Sequence, residues 1–153
     1  MIDDNLTLEQ WHRKQAVDNF NATWDMIDKK DRTIEDNRSM ITTAHASYFH
    51  WKLIGTPLEA ARGEWQISRV YSLLEMAESA LFHGNNSLKL CIDNDIKDFD
   101  LAFAYEAVAR GYMVSQEEEL MNKYIDLAKE AAKAIEKKED RDYFLSELNT
   151  IHM

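Results

Sequence analysis

The sequence is poor in the residues that make turns and cross-links. It contains one cysteine, one proline and four glycines in 153 residues. A single cysteine excludes an internal disulfide. Because Cys91 falls on an apolar helical stripe, we interpret it as an unreactive core thiol. The scarcity of proline and glycine, beside abundant Ala, Leu, Glu and Lys, is unfavourable to a β-protein and indicates an all-α chain.

Long apolar runs and basic clusters are also missing. No segment approaches the roughly 18 consecutive apolar residues that a membrane span needs, and the first residues, 1–4, have neither the basic nor the apolar part of a signal peptide. The net charge is −10, with 28 acidic against 18 basic residues, which is unfavourable for binding a polyanion. We therefore expect a cytoplasmic protein that binds neither membrane nor nucleic acid.

Helix-start signals divide the chain into about seven helices within one domain. Thr7 and Thr56 each precede a Gln or Glu by three residues, as in a capping box, and Pro57 falls at a first helical position. Asp98 is placed to cap the fifth helix and Ser115 to open the sixth. These signals predict three hairpins over about 7–53, 56–94 and 98–137, and a terminal helix over about 140–151.

A spacing of 41 residues recurs in the second half of the chain. It separates Tyr71 from Tyr112, and Arg69 from Arg110. Self-similarity at such a period indicates stacked helical hairpins, since one hairpin cannot bury its apolar face alone. The predicted fold is therefore all-α, with antiparallel hairpins stacked as a short solenoid.

The stretch from Thr56 to Cys91 resembles a tetratricopeptide repeat. Tyr71 matches the tyrosine of that repeat's first helix, and Ala80 and Ser87 match the small residues of its second helix. The AHASYFHW and GEWQISRVY segments are similar to those of uncharacterised bacterial proteins of this architecture. The resemblance implies a concave face lined by the first helix of each pair.

The resemblance also implies which side chains line that face. Counted from Tyr71 and Tyr112, its positions include Arg62, Trp65, Arg69 and Arg110, which we take as candidate ligand-binding residues. Arginine forks hold carboxylates bidentately, so the expected ligand is an acidic peptide or another carboxylate, with Trp65 covering apolar or cationic groups. The alternative is internal pairing, of Arg62 with Glu59 and of Arg69 with Glu64 or Glu75.

No arrangement typical of catalysis or metal binding is visible. His45 and His50 are five residues apart, so they point about 140° apart on a helix and cannot share an ion. We interpret His45 as a hydrogen-bonded core residue. Ser47 and Ser68 fall within helices, away from the turns that present nucleophiles. We expect no enzymatic activity, no metal and no cofactor.

Two classes of function remain open. The first is a protein or peptide interaction module that uses the concave face. The alternative is a small-molecule-binding or sensor domain with a pocket between the aromatic-rich helices one to three. Because no helix precedes the Trp- and Phe-rich first hairpin, we also expect a homodimer through helix one or two.

Overall fold

A computed structural model describes residues 5–153. Residues 1–4, on which the signal-peptide expectation depends, lie outside this range. The described residues form seven helices and no strand, which confirms the all-α prediction. None of these seven helices is long and apolar enough to cross a membrane. Their bounds are α1 Leu8–Ile27, α2 Ile34–Ile54, α3 Pro57–Leu73, α4 Ala77–Asp93, α5 Asp98–Val114, α6 Glu118–Ala132 and α7 Lys138–Leu148.

The first three helices begin with capping boxes. Gln10 N–H donates to the Thr7 hydroxyl at 3.1 Å, and Thr7 N–H donates back to the Gln10 side chain at 2.9 Å. Thr33 opens α2 in the same way, and Thr56 N–H donates to the Glu59 carboxylate at 3.0 Å before α3. These reciprocal bonds satisfy backbone donors that a helix start leaves free.

The sixth helix begins differently from the prediction. Ser115 is the C-cap of α5, and Glu117 is the N-cap of α6. The Ser115 hydroxyl donates to the Glu117 carboxylate at 2.8 Å, and no side chain caps the start of α6. Asp98 does not cap α5 as predicted either: the N-cap is Lys97, and no side chain caps this helix start. Asp98 is the first residue of α5, and its carboxylate accepts the Phe99 N–H at 2.6 Å.

The helices stack as three hairpins with α7 across the end. Each of α1–α2, α3–α4 and α5–α6 packs as a pair, and α2 and α4 also contact the helix that follows. The odd-numbered helices contact one another in turn, from α1 to α3, α5 and α7. We call the surface that they share the odd-helix face. Helices α3 and α5 start 41 residues apart (98 − 57), as do α4 and α6 (118 − 77).

A close approach at Gly84 fixes the middle of the stack. A Cβ there would lie 3.1 Å from the Ser68 hydroxyl of α3 and 3.4 Å from the backbone of Ala107 in α5. A side chain there would require the neighbouring helices to shift by a few tenths of an ångström, so glycine lets α4 lie close against both of them. At the far end, Phe144 and Leu148 of α7 are buried and cover the core of the third hairpin.

Candidate functional site: an aromatic pocket beside a buried ion-pair network

Two of the predicted arginines meet a single buried carboxylate on the odd-helix face. The Glu106 side chain is 1% exposed. Its Oε1 accepts from the Arg69 guanidinium at 3.1 Å and from the Arg110 Nε at 2.9 Å, while its Oε2 accepts from the Trp65 indole N–H at 3.2 Å. Three of the four predicted site residues thus lie together, but they donate to an internal carboxylate and not to a ligand.

The remaining donors of both arginines are also largely used internally. Arg69 donates to the Glu147 carboxylate at 3.1 Å, and Arg110 donates to the Thr150 hydroxyl at 2.8 Å. Only 14% of the Arg69 side chain and 9% of the Arg110 side chain are exposed. The expected groove of open arginines is therefore not formed, because a carboxylate as deeply buried as Glu106 requires charged partners. Glu64 and Glu75 were also the wrong internal partners for Arg69.

Arg62, the fourth predicted residue, lies at the edge of the face and pairs across helices. It donates bidentately to Asp100 of α5, with Nε–Oδ1 at 2.8 Å and Nη2–Oδ2 at 3.1 Å. The sequence alternative, pairing with Glu59, is replaced by this longer-range partner. The Arg62 side chain is 53% exposed and that of Asp100 is 16% exposed. This ion pair thus has one open member and one largely enclosed member.

Beside this ion pair, six aromatic rings surround a pocket of about 220 Å³. The rings come from four helices of the odd-helix face. We call this the aromatic pocket; it is lined by Phe20, Trp24, Ala61, Arg62, Trp65, Ser87, Phe99, Asp100, Phe103 and Tyr143. Two predicted site residues, Arg62 and Trp65, are among the lining residues, whereas Arg69 and Arg110 are not.

The rings form a connected series across the helices. The ring centroids of Trp24 and Trp65 are 5.6 Å apart, and the two ring planes are tilted by 34°. The Phe103 ring lies edge-to-face with Trp65, with 5.5 Å between the centroids. Phe103 also contacts Phe99 at 4.6 Å and Tyr143 at 6.0 Å. One of these four contacts is edge-to-face and three are tilted, and all four centroid separations fall within the range of about 4.5–7 Å that aromatic pairs prefer. They hold the walls of the pocket in place from one end of the stack to the other.

The pocket differs in position from the one that the sequence suggested. A cavity between helices one to three was the alternative hypothesis. The observed pocket is lined by α1 and α3 together with α4, α5 and α7, and no residue of α2 lines it. Residues as distant in the sequence as Phe20 and Tyr143 carried no shared signal that would have assigned them to one site.

A second polar cluster lies between α2, α3 and α4. His83 and the buried Glu64 carboxylate are joined by a 2.6 Å hydrogen bond, and His45 Nε2 lies 2.9 Å from the Tyr71 hydroxyl. This confirms that His45 is a hydrogen-bonded residue. Burial lowers the pKa of His45, with a further contribution from His83. Burial, reinforced by Glu64, raises the pKa of Tyr48 to about 12.

The contact between His12 and His50 was not predicted from the sequence. His12 and His50 come from different helices, and their Nδ1 atoms are 2.8 Å apart. A separation of 38 residues gave no local signal for this contact. Among residues 5–153, no group of three or more His, Cys, Asp or Glu side chains is arranged to hold a metal ion. Cys91 is buried, and burial raises the pKa of its thiol to about 11.

No protein-family model, curated protein or solved structure matches the chain. The resemblance to tetratricopeptide repeats therefore stays a prediction.

Proposed function

We propose that this protein is a non-enzymatic interaction module whose aromatic pocket receives one side chain of a partner peptide. The observation that carries the proposal is the convergence of six rings from four helices on one pocket, beside an ion pair with an exposed arginine. Aromatic residues supply large contact areas at little entropic cost, and pockets that desolvate an anchor side chain dominate peptide recognition.

The size of the pocket favours a side chain over a whole ligand. Sites for drug-sized molecules usually enclose about 300 to 1,000 Å³, whereas this pocket encloses about 220 Å³. Its mouth is open at Tyr143, which is half exposed, and at Arg62. A peptide can therefore place one side chain inside while its backbone continues along the odd-helix face.

A small-molecule or sensor function is the second candidate. A mostly apolar pocket with a few polar groups, here Arg62, Ser87 and Asp100, is also the usual description of a ligand site. A compact aromatic ligand would use the same walls. The two candidates therefore differ in the kind of occupant and share the site.

The test is an array of acetylated and amidated pentapeptides in which the central residue varies through all side-chain classes. Binding is read by NMR from the Trp65 indole N–H, which reports from the pocket wall. We expect the shifts caused by a binding peptide to disappear in Trp24→Ala and Tyr143→Ala. The matched control is Phe82→Ala, which removes an exposed ring from α4 outside the pocket.

Three results decide between the candidates. Pocket-dependent peptide binding supports the interaction module. If only free aromatic compounds perturb the Trp65 signal, the small-molecule function replaces it. If Phe82→Ala abolishes binding as completely as the pocket variants do, the aromatic pocket is not the site.

A further inference from the structure

The ion pair at the mouth of the aromatic pocket is asymmetric. Asp100 is largely enclosed by the pocket wall, whereas more than half of the Arg62 side chain faces solvent. An exposed, flexible arginine is held weakly by such a pair, since solvent competes for both charges. Asp100 is thus the fixed member of the pair, and Arg62 is the member that can leave.

The Arg62–Asp100 geometry also shows what Asp100 can receive. Its two oxygens each accept from a different nitrogen of Arg62, at 2.8 and 3.1 Å. This is the bidentate arrangement of a guanidinium on a carboxylate. A second guanidinium that reached Asp100 from the pocket would find the same two acceptors once Arg62 moved into solvent.

The surroundings of Asp100 favour a cation. Trp24 and Trp65 line the pocket, and the faces of indole rings attract guanidinium and ammonium groups. The nearby network adds no net charge, because Glu106 and Glu147 balance Arg69 and Arg110. The chain as a whole carries a net charge of −10, which attracts basic partners and repels acidic ones.

We propose that the aromatic pocket recognises an arginine side chain from a basic segment of a partner protein, that Asp100 accepts its guanidinium, and that Arg62 is an internal competitor which the partner displaces. This inference depends on the proposed function, since it names the side chain that the interaction module takes. It replaces the acidic ligand expected from the sequence with a basic one.

If Arg62 competes for Asp100, then removing this side chain should raise the affinity for an arginine peptide and not lower it. If Arg62 instead holds a carboxylate of the partner, its removal weakens binding, and a glutamate peptide is then the better ligand. The same variant therefore separates a basic partner from an acidic one.

The probes are four acetylated and amidated pentapeptides, Gly-Gly-X-Gly-Gly, with arginine, citrulline, leucine or glutamate at X. Citrulline keeps the shape of arginine and removes its charge. Each peptide is titrated against the full chain and against Arg62→Gln, Asp100→Asn and the double variant, with the Trp65 indole N–H as the NMR signal. Arg38→Gln is the control, because it removes an equal charge from an exposed pair with Glu35.

We expect Arg62→Gln to bind the arginine peptide more tightly, by up to about fivefold, the effect of removing one exposed ion pair. Asp100→Asn, alone or in the Arg62→Gln background, should weaken it by about tenfold or more, as for loss of a charged hydrogen-bond partner. Citrulline and glutamate peptides should bind more weakly than arginine, and Arg38→Gln should change nothing. Melting curves of each variant establish that it is folded.

Other outcomes overturn the inference. It is wrong if arginine and citrulline peptides bind equally, or if Arg62→Gln weakens binding of the arginine peptide. Pocket-dependent binding of the leucine peptide alone would remove the arginine preference while leaving the proposed interaction module intact. If no peptide of the array or of this set perturbs the Trp65 signal in any variant, both the module and its arginine preference are wrong.

Discussion

Glu106 is the residue whose chemistry most constrains the odd-helix face. It is fully buried and accepts hydrogen bonds from Trp65, Arg69 and Arg110. Removing one member of a buried charge network leaves the others unpaired. The arginines expected to capture a ligand therefore act in stability, and the same network fixes the orientation of Trp65 at the aromatic pocket.

We expect Glu106→Ala to lower the free energy of unfolding by about 3–5 kcal/mol, because two guanidinium groups would lose their shared carboxylate. Urea denaturation followed by circular dichroism measures the change. Glu35→Ala breaks only the exposed pair with Arg38 and should stay within about 0.5 kcal/mol of the parent protein. A loss below about 1 kcal/mol for Glu106→Ala would show that the network does not hold the face together.

Two histidines should make stability depend on pH. Burial lowers the pKa of both His45 and His50, and a neighbouring ring, His83 or His12, lowers it further. The folded protein therefore binds fewer protons than the unfolded chain, so stability is complete above about pH 6.5 and is lost as pH falls below it.

The measurement is the melting temperature from pH 7.5 to pH 5, above the range in which ordinary carboxylates titrate. We expect the melting temperature to fall across this range, and the double variant His45→Gln/His50→Gln to show a smaller fall. A parent protein whose melting temperature stays constant or rises on acidification would contradict the direction of these pKa shifts.

At the scale of the helix, three successive turns share one construction. Helices α3, α4 and α5 are each followed, two positions after their last residue, by a residue with left-handed backbone geometry, namely Glu75, Asp95 and Gln116, with φ of 59°, 54° and 62°. After each, a backbone N–H reaches back five residues, as in Glu117 N to Tyr112 O at 3.0 Å. This is the Schellman closure, in which glycine usually holds the left-handed position.

We expect Gln116→Gly to stabilise the protein by up to about 1 kcal/mol, because a left-handed conformation costs other residues about 1–2 kcal/mol, offset in part by the backbone entropy of glycine. Asp126→Gly is the contrasting control. Asp126 is exposed within α6, where replacement by glycine should cost a few tenths of a kcal/mol, because aspartate is itself a weak helix former. Urea denaturation compares the two, and destabilisation by Gln116→Gly would argue against strain at this turn.

At the scale of the whole molecule, the first hairpin exposes apolar side chains where α1 begins and α2 ends. Leu8 and Leu53 line the same shallow depression, and Phe49 lies one turn from Leu53 on α2; all three are exposed. Exposed apolar groups at the end of a stack favour association with a second copy. The homodimer expected from the sequence thus remains our proposal, with these residues at the interface.

Light scattering at high micromolar concentration should give about twice the chain mass of 17.9 kDa. The variant Leu53→Asp should give the monomer mass, because the interface would then enclose an unpaired charge. Ile92→Asp introduces the same charge at an exposed position of α4 and should remain dimeric. A monomeric parent protein would exclude a stable dimer.

The helices could be predicted from sequence because their signals are local. A capping box joins residues three apart, as at Thr7 and Thr56, and the 41-residue spacing compares equivalent positions along one chain. Neither signal requires a contact between two helices. The number of helices, their hairpin pairing and the 41-residue spacing could therefore be predicted from the sequence. The N-caps of α5 and α6 were predicted wrongly, at Asp98 and Ser115 in place of Lys97 and Glu117, because several polar residues stand side by side at each of these turns.

The partners of side chains on different helices were decided by tertiary structure. The spacing of four residues on α5 is itself enough to indicate that Glu106 and Arg110 can pair. That Arg69 joins them, and that Arg62 reaches Asp100, depends on how α3 lies against α5. The aromatic pocket takes its six rings from four helices and its complete lining from five. Helix spacing and crossing angle set these contacts, and the packing of the complete stack determines both.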